Sequence, residues 1–381
     1  MLQTFLDNKP LYYDKIDYTR MPKVYGRIKK FIKVPKIIHL VGTNGKGTTG
    51  RFLASALYSL GFCVGHYSSP HILEFNERIW LDGKNVSNVT LNEAHKKLLS
   101  LLTPQDAETL SYFEYTTLLA VFLYQECDYV VLEAGLGGEY DATAVFENIL
   151  TLVTPIDFDH EAFLGSDIES IATTKINAVQ TRAILAKQPH KRVITVAKEI
   201  AEQKEIPIEK YDTLLNKQDS IKIAKIAKNN DLPLYLQENL MLSIAALNIL
   251  GMDYDVENFK NAKLFGRLSQ LGTNILVDVG HNTLAAKSIY NTLKENKYIL
   301  VYNSFKDKNY NEILDILKPI INHVEIIDVK DDRIEERKKL VQAIESLDIV
   351  HKKFKGIEED ENYLVFGSFS VAEAFLKEYR G

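Results

Sequence analysis

Cysteine is scarce in this chain, with only Cys63 and Cys127 among 381 residues. The two do not form a CxxC pair, and neither belongs to a cysteine and histidine cluster of the kind that binds zinc. Together with the length, this scarcity excludes a disulfide-stabilised miniprotein and favours a reducing compartment such as the cytosol.

A strong excess of one charge is also lacking, since 46 basic residues stand against 51 acidic ones for a net charge of −5. Such a mild negative charge does not favour binding to nucleic acid or to an anionic membrane. No apolar run approaches the length of a membrane span, and the N-terminal residues show no targeting pattern. We therefore expect a cytoplasmic protein whose partners are small molecules rather than nucleic acid or a membrane.

Internal repeats and low-complexity segments are absent, and the 46% hydrophobic and 25% charged residues are ordinary globular values. At about 150 residues per domain, a chain of 381 residues predicts two domains. The hydrophobic periodicity lapses near residues 262–267, so we predict one domain over residues 1–262 and a second over residues 267–381.

Short apolar runs alternate with helix-like segments, which is typical of parallel strands joined by crossover helices. The pattern predicts an α/β protein with a doubly wound, mostly parallel sheet in the first domain and a smaller α/β domain after it. Strands are predicted at residues 36–41, 62–67, 129–132, 149–153, 274–278, 298–303, 323–329 and 363–366, and helices at residues 48–60, 115–124 and 239–250, with another closing the chain. Signals are weak over residues 181–230, where we assign no elements.

A glycine-rich segment, Gly42-Thr-Asn-Gly-Lys-Gly-Thr-Thr49, lies between the first predicted strand and helix. Backbone N–H groups at the start of a helix can hold phosphate oxygens, and Lys46 would reach the β- and γ-phosphates. Thr48 or Thr49 would offer a hydroxyl to Mg²⁺. Gly47 stands where the strict pattern has Ser or Thr. A glycine-rich turn with an incidental lysine is the structural alternative, but the flanking elements favour a nucleotide triphosphate site.

Polar side chains follow the other predicted strands of the first domain. They are Ser69, Glu133, Asp157, Asp159 and His160. Because the carboxyl ends of parallel strands meet at one edge of a sheet, we expect these groups beside the phosphate loop. Each alone is more often a solvated strand end, but together they predict a site for one or two Mg²⁺ ions.

In the second domain, Asp278-Val-Gly-His-Asn282 follows another predicted strand. Asp278 could present a carboxylate to a ribose, and His281 an imidazole to a base or phosphate. Capping of the next helix by Asn282 is the alternative interpretation.

Four ordered blocks carry a family resemblance: Gly42-Thr-Asn-Gly-Lys-Gly-Thr48, Ser68-Ser-Pro-His-Ile-Leu-Glu-Phe-Asn-Glu-Arg-Ile79, Glu133-Ala-Gly-Leu-Gly-Gly138 with Asp141-Ala-Thr143, and Asp278-Val-Gly-His-Asn282. Over residues 38–374 the chain resembles the folylpolyglutamate synthase/dihydrofolate synthase branch of the Mur ligase superfamily. The glycine after the loop lysine is the folate-branch form, whereas the cell-wall Mur ligases have Ser or Thr there. The resemblance implies a first domain of the Mur ligase central-domain type and a Rossmann-like C-terminal domain.

The resemblance also implies how ATP is bound. Lys46 and the loop contact the phosphates, Asn239 and His281 lie on the adenine side, Asp278 binds the ribose, and Arg267 reaches the phosphates. The implied ATP-binding set is Gly42, Thr43, Asn44, Gly45, Lys46, Gly47, Thr48, Asn239, Arg267, Asp278 and His281.

Metal and substrate contacts are implied in the same way. Lys175 matches the lysine that the family carbamoylates, which turns an ammonium into a carboxylate-like ligand. The implied ligands of two Mg²⁺ ions are Thr48, Ser69, Glu133, His160 and Lys175. The implied catalytic residues are Lys46, His160 and Lys175. The implied folate and glutamate contacts are Phe75, Arg78 and Asp141.

Several positions depart from the family pattern. Glu139 and Ala144 stand where the family usually has Arg and Asn, so substrate contacts near them are expected to differ. Residues 174–180 keep the modified lysine but lose a second one. Tyr235 and Leu236 replace the usual His-Gln ahead of Asn239.

The implied activity is that of an ATP-dependent ligase, which adds L-glutamate to dihydropteroate, to a reduced folate, or to both, through an acyl phosphate. A monomer is expected. Two alternatives remain open from the sequence: another Mur-type amino-acid ligase acting on a cell-wall precursor, and a switch protein that hydrolyses ATP slowly and signals by domain movement.

Overall fold

The computed structural model describes residues 1–10, 17–260 and 262–380. The chain divides into two compact units, Met1–Leu232 with Leu236–Ala262, and Pro233–Tyr235 with Lys263–Gly381. The boundary expected at residues 262–267 lies beside the division between Ala262 and Lys263. No helix in the described ranges is long and apolar enough to cross a membrane.

A mostly parallel sheet forms the centre of the first unit. Its strands are β1 (Lys36–Val41), β2 (Val64–Tyr67), β3 (Ile79–Leu81), β4 (Lys84–Asn85), β5 (Tyr129–Glu133), β6 (Asn148–Val153), β7 (Ala183–Leu185) and β8 (Ile208–Lys210). Their order is β4-β3-β2-β5-β1-β6-β7-β8. The pairs β2–β3 and β3–β4 are antiparallel, whereas β1 pairs parallel with β5 and β6. The chain leaves β1 toward β2 on one side and later continues to β6 on the other, as in a doubly wound sheet.

Several helices of the first unit contribute buried apolar residues to its core. The helices of this unit are α1 (Leu2–Asp7), α2 (Arg20–Ile28), α3 (Lys46–Ser59), α4 (Asn88–Leu101), α5 (Pro104–Thr109), α6 (Tyr112–Leu123), α7 (Glu161–Leu164), α8 (Ile168–Ile176), α9 (Lys191–Lys204), α10 (Lys217–Asn229) and α11 (Leu234–Ile249). Two core clusters result. One joins Leu118 and Leu98 to Val130, and the other joins Ile171 and Val196 to Val153, the last residue of β6.

The second unit holds its own sheet and core. Its strands are β9 (Ser269–Leu271), β10 (Ile275–Val277), β11 (Tyr298–Tyr302), β12 (Ile321–Ile326), β13 (His351–Lys353) and β14 (Tyr363–Phe366), in the order β13-β12-β11-β14-β10-β9. Its helices are α12 (Thr283–Leu293), α13 (Tyr310–Leu317), α14 (Arg337–Ser346) and α15 (Phe369–Arg380). All pairs in this sheet are parallel except β9–β10.

The predicted α/β class and all eight predicted strands are confirmed, with ends that differ by no more than three residues. The stretch left unassigned, residues 181–230, contains β7, α9, β8 and α10. The two strands have three residues each, too few for a periodic signal. In α9 the buried Val193, Val196, Ala197 and Ile200 do have helical spacing, but the surrounding charged residues obscured it.

Candidate active site

The phosphate loop lies between β1 and α3, at the centre of the first sheet. The segment after β6 holds its shape, because the backbone N–H groups of Thr43 and Asn44 both donate to the Pro155 carbonyl, at 2.9 and 3.2 Å. The Thr43 hydroxyl bonds the Asp157 carbonyl at 3.0 Å. Gly45, at φ +87°, turns the chain directly into α3. The amides at the start of α3 can therefore bind an anion.

Gly42 is the residue of this loop that tolerates a side chain least. Its φ is +142°, and a Cβ there would lie 2.0 Å from Thr154 Oγ1 and 2.9 Å from the Thr154 carbonyl oxygen. We expect Gly42→Ala to lower the free energy of unfolding by roughly 1–3 kcal/mol, because backbone strain and a clash with backbone add. Urea denaturation measures this change. Gly61→Ala is the control, because φ of Gly61 is also positive but a Cβ there would meet no atom within 4 Å. Equal losses in the two variants would contradict the clash.

Lys46 opens α3 and is held within its own loop. Its Nζ donates to the carbonyls of Gly42 and Thr43 at 3.1 and 3.4 Å, and lies 3.9 Å from the Glu133 carboxylate. Glu133, at the end of β5, also accepts the backbone N–H of Ser69 at 3.2 Å. The structure thus brings together the predicted phosphate-binding lysine and two predicted metal ligands from neighbouring strand ends.

The Thr48 side chain is suited to bind a metal ion. Its side chain is 1% exposed, and its Oγ1 has no hydrogen-bond partner among the described residues. A buried hydroxyl of this kind is costly unless something binds it, and a Mg²⁺ ion bridging to phosphate would satisfy it. No group of three or more His, Cys, Asp or Glu side chains in the described ranges could hold a metal by itself. A cation here would therefore need phosphate oxygens and water in addition to Thr48 and Glu133.

Lys175 reaches the same loop from α8. Its side chain is 4% exposed, and Nζ donates to the Gly42 carbonyl at 3.1 Å. Burial lowers the pKa of Lys175 to about 7, the charge of Lys46 adds to the lowering, and Asp159 and Asp141 act in the opposite direction. The neutral amine is therefore well populated near neutral pH, which is the form that can react with CO₂.

His160 and its neighbours form the loop after β6. His160 has φ +53° and a side chain that is 42% exposed, and its Nε2 lies 4.0 Å from the buried carboxylate of Asp159. Asp157 accepts a 2.7 Å hydrogen bond from His190 Nε2 at the start of α9. His190 is a further histidine at this edge that the sequence did not single out.

Phe75 and Arg78 lie together in a short helical turn before β3. Arg78 is buried, its Nε donates to His71 Nδ1 at 2.7 Å, and its guanidinium covers the Tyr112 ring at 5.2 Å. Burial and the Arg78 charge lower the pKa of His71 to about 3, so this imidazole is neutral. No described carboxylate forms an ion pair with Arg78, so its charge is available for an anionic ligand.

Asp141 is buried and its carboxylate is occupied within the protein. One oxygen accepts the N–H groups of Gly135 and Leu136 at 3.0 and 2.9 Å, and the other accepts the N–H and hydroxyl of Thr143 at 3.0 and 2.6 Å. Burial raises the pKa of Asp141. Asp141 therefore shapes the loop of residues 135–145, which we call the substrate loop after the substrate contact that the resemblance implies for Asp141.

An open cavity of about 750 Å³ adjoins the substrate loop. Residues of α2 and of the segments that flank it form one wall, and substrate-loop residues form the other. Its lining includes Tyr18, Tyr25, Lys29, Lys30, Glu139, Tyr140, Asp141 and Ala144. The two positions that depart from the family pattern, Glu139 and Ala144, thus both face this cavity. The α2 residues were not predicted, since nothing in their sequence marks a ligand contact.

Asn239 in α11 contacts the phosphate loop. It is buried, and a Cβ on Gly45 would lie 2.4 Å from its Oδ1, so the glycine allows this close approach.

The predicted residues of the second unit gather at the end of β10. Asp278 is buried, and it accepts the Tyr235 hydroxyl at 3.0 Å, the Leu268 N–H at 2.9 Å and the Gly280 N–H at 2.8 Å. His281 Nδ1 lies 3.1 Å from the Val279 carbonyl.

Arg267 and Asn282 contact other residues of the second unit. Arg267 lies over the Phe369 ring at 5.4 Å. The alternative prediction for Asn282 is confirmed, because its side chain caps α12 by accepting the Ala285 N–H at 3.0 Å.

Taken together, the fold and the loop define a P-loop nucleotide-binding α/β enzyme. No protein-family model matches the chain. Dihydrofolate synthase/folylpolyglutamate synthase of Haemophilus influenzae is 30% identical over an alignment of 404 positions, which covers 93% of this chain and 92% of that protein. The chain therefore belongs to the dihydrofolate synthase/folylpolyglutamate synthase family of ligases, which form C–N bonds.

Solved structures agree with this assignment. The crystal structure of Helicobacter pylori folylpolyglutamate synthetase is 39% identical, with a TM-score of 0.81 and coverage of 100% of this chain and 98% of that chain. A bifunctional folylpolyglutamate synthase/dihydrofolate synthase of Yersinia pestis, complexed with AMPPNP and a Mn ion, shares the fold at 24% identity, with a TM-score of 0.82 and coverage of 99% and 96%. The resemblance drawn from the sequence blocks is confirmed.

Proposed function

We propose that this chain joins L-glutamate to the carboxylate of a folate-type substrate, using ATP to form an acyl phosphate. Family membership supports the reaction class. The observation that carries the proposal is the position of Lys46, whose Nζ lies between the carbonyls of its own phosphate loop and the Glu133 carboxylate.

Amide formation at neutral pH needs an activated carboxylate, because oxide is a poor leaving group. The substrate carboxylate attacks the γ-phosphorus of ATP, ADP leaves, and the amine of glutamate then displaces phosphate from the acyl carbon. Lys46 and the amides of the phosphate loop stabilise the charge on the transferred phosphoryl group. The loop residues Gly42 to Thr48 are the proposed phosphate contacts.

Thr48 and Glu133 would hold one Mg²⁺, with Ser69 as a further ligand of the magnesium set. Glu133, His160 and carbamoylated Lys175 would hold a second. A divalent cation bound there supplies positive charge that polarises the phosphoryl group. The unpartnered Thr48 hydroxyl supports the first set. The lowered pKa of Lys175 supports the second, because a carbamate forms only from a neutral amine.

We assign the cavity beside the substrate loop to the pteridine ring of the folate. Tyr18 and Tyr25 offer aromatic surfaces suited to a flat heterocycle. Arg78, a buried cation beside Phe75, is suited to a substrate carboxylate. Asp141 would act by shaping the loop, since its oxygens already accept four hydrogen bonds.

Of the second unit, Asp278 is proposed to contact the ribose, Arg267 a phosphate and His281 the adenine. Asn239, in the first unit, is proposed as a further adenine contact. A ribose hydroxyl would have to share Asp278 with Tyr235, whose hydroxyl already donates to it. We further propose that the protein is a cytoplasmic monomer.

The test is the mass of the products after incubation with MgATP and L-glutamate, with dihydropteroate and tetrahydrofolate in parallel. We expect a glutamyl adduct on at least one substrate, and on both if the enzyme is bifunctional. ADP release that requires neither glutamate nor folate would support the switch protein instead. Glutamyl transfer to neither folate would overturn the proposal and point to the other Mur-type ligases.

A further inference from the structure

A buried hydrogen-bond chain leads from the central strand to the substrate loop. His39 Nε2, on β1, lies 2.8 Å from Thr143 Oγ1, which lies 2.6 Å from Asp141 Oδ1. All three side chains are buried. The family resemblance assigned no role to His39 or Thr143.

The donors and acceptors in this hydrogen-bond chain follow from the protons that each group carries. The Thr143 hydroxyl donates to the Asp141 carboxylate, which also accepts three backbone N–H groups. The Thr143 oxygen can then only accept from His39, which places the imidazole proton on Nε2. His39 Nδ1 has no partner among the described residues, and burial lowers the pKa of His39 to about 4, so the ring is neutral. His39 therefore donates to Thr143, and Thr143 to Asp141.

The substrate loop, which this hydrogen-bond chain attaches to β1, is also attached at two further points. The Glu139 N–H donates to the Thr174 carbonyl at 2.9 Å, and the Glu139 carboxylate accepts from the Asn177 amide at 3.0 Å. Both partners lie within two residues of Lys175, at the end of α8. The substrate loop is thus attached on one side to the strand that leads into the phosphate loop, and on the other to the helix that carries Lys175.

We propose that His39 and Thr143 are positioning residues that set the substrate loop against the folate cavity. Neither touches substrate, and both act through Asp141. This inference rests on the proposed function, since the cavity is assigned to the folate there. Loss of the Thr143 hydroxyl removes one of the two hydrogen bonds to Asp141 Oδ1 and leaves the Nε2 proton of His39 without its acceptor, so the loop loses its attachment to β1.

The test compares Thr143→Val with Thr143→Ser. Valine keeps the shape and removes the hydroxyl, whereas serine keeps the hydroxyl. We expect Thr143→Val to raise KM for the folate substrate about tenfold, with KM for ATP nearly unchanged, as for loss of a buried hydrogen bond to a charged group. Thr143→Ser should restore KM to within about twofold of the unmodified protein.

Thr151→Val is the matched control, because Thr151 faces His39 in the β1–β6 register, is fully buried, and donates its hydroxyl to Asn148 within β6. It should leave KM for the folate near its normal value. Thermal unfolding of every variant identifies one that fails to fold, and then His39→Gln, which keeps a side-chain N–H donor, is compared with His39→Leu for the same KM difference.

Equal kinetics for Thr143→Val and Thr143→Ser in an active enzyme would overturn the positioning role. Equal rises in KM for folate and ATP would do so as well. Failure of the unmodified protein to glutamylate any folate would instead refute the proposed function, so the two results are distinguishable.

Discussion

Lys46→Ala is expected to abolish glutamate-dependent ADP formation while the protein stays folded. Among the described residues, Lys46 Nζ donates to two carbonyls of its own loop and lies 3.9 Å from the Glu133 carboxylate. The loop keeps its shape through backbone bonds to Pro155, which this substitution leaves in place. The lost charge is needed during phosphoryl transfer, and removing one such stabilising group costs at least about 10²-fold in kcat.

A coupled assay of ADP release measures the effect, and the thermal midpoint of unfolding shows that the fold is kept. Lys33→Ala is a suitable control, because Lys33 forms an exposed ion pair with Glu126 on the surface of the first unit. Its rate should be unchanged. A folded Lys46→Ala variant with a near-normal rate would remove Lys46 from the mechanism and with it the main support for the proposed function.

The phosphate loop was predictable because its signal is local. A buried strand, a glycine-rich turn and a helix follow one another over residues 36–60, and each element restricts the next. The same holds for the strand-end groups Ser69 and Glu133. Parallel strands bring their carboxyl ends to one edge, so the contact between these two residues followed from the fold class alone.

The cavity that we assign to the folate could not be predicted in this way. Its walls come from α2 and the substrate loop, more than 100 residues apart, and no periodicity links them. His39 was equally hidden, because a histidine within an apolar strand resembles an ordinary core residue. Only its position opposite Thr143 reveals the hydrogen-bond chain.

Asp141 shows a different limit of the sequence. Its motif marks it as a substrate contact, but whether a carboxylate is free depends on the N–H groups that the fold turns toward it. Four donors already occupy its oxygens. Asp278 is similar, since Tyr235, at a position that departs from the family pattern, donates to it.

The Lys175→Ala variant is expected to be nearly inactive. The loss of activity can be distinguished from a loss of folding. Lys175 is buried, and its Nζ donates to the Gly42 carbonyl. An ammonium group has no lone pair with which to bind a metal. Attack of the neutral amine on CO₂, with loss of a proton, would give a carbamate with two oxygen ligands. Because the pKa of Lys175 is about 7, the carbamoylated fraction at fixed bicarbonate should fall as the pH is lowered through that value.

Intact mass measured in bicarbonate at neutral pH should show one added carbamoyl group on the unmodified protein and none on Lys175→Ala. Formate or acetate should restore part of the activity of the alanine variant by supplying the missing carboxylate. Lys204→Ala is the matched control, since Lys204 also bonds two backbone carbonyls, those of Asn177 and Val179, and burial also lowers its pKa. That variant should keep both the added mass and the rate. A normal rate for Lys175→Ala would show that no essential ligand comes from this lysine, and the proposed second Mg²⁺ would then have to depend on Glu133 and His160 alone.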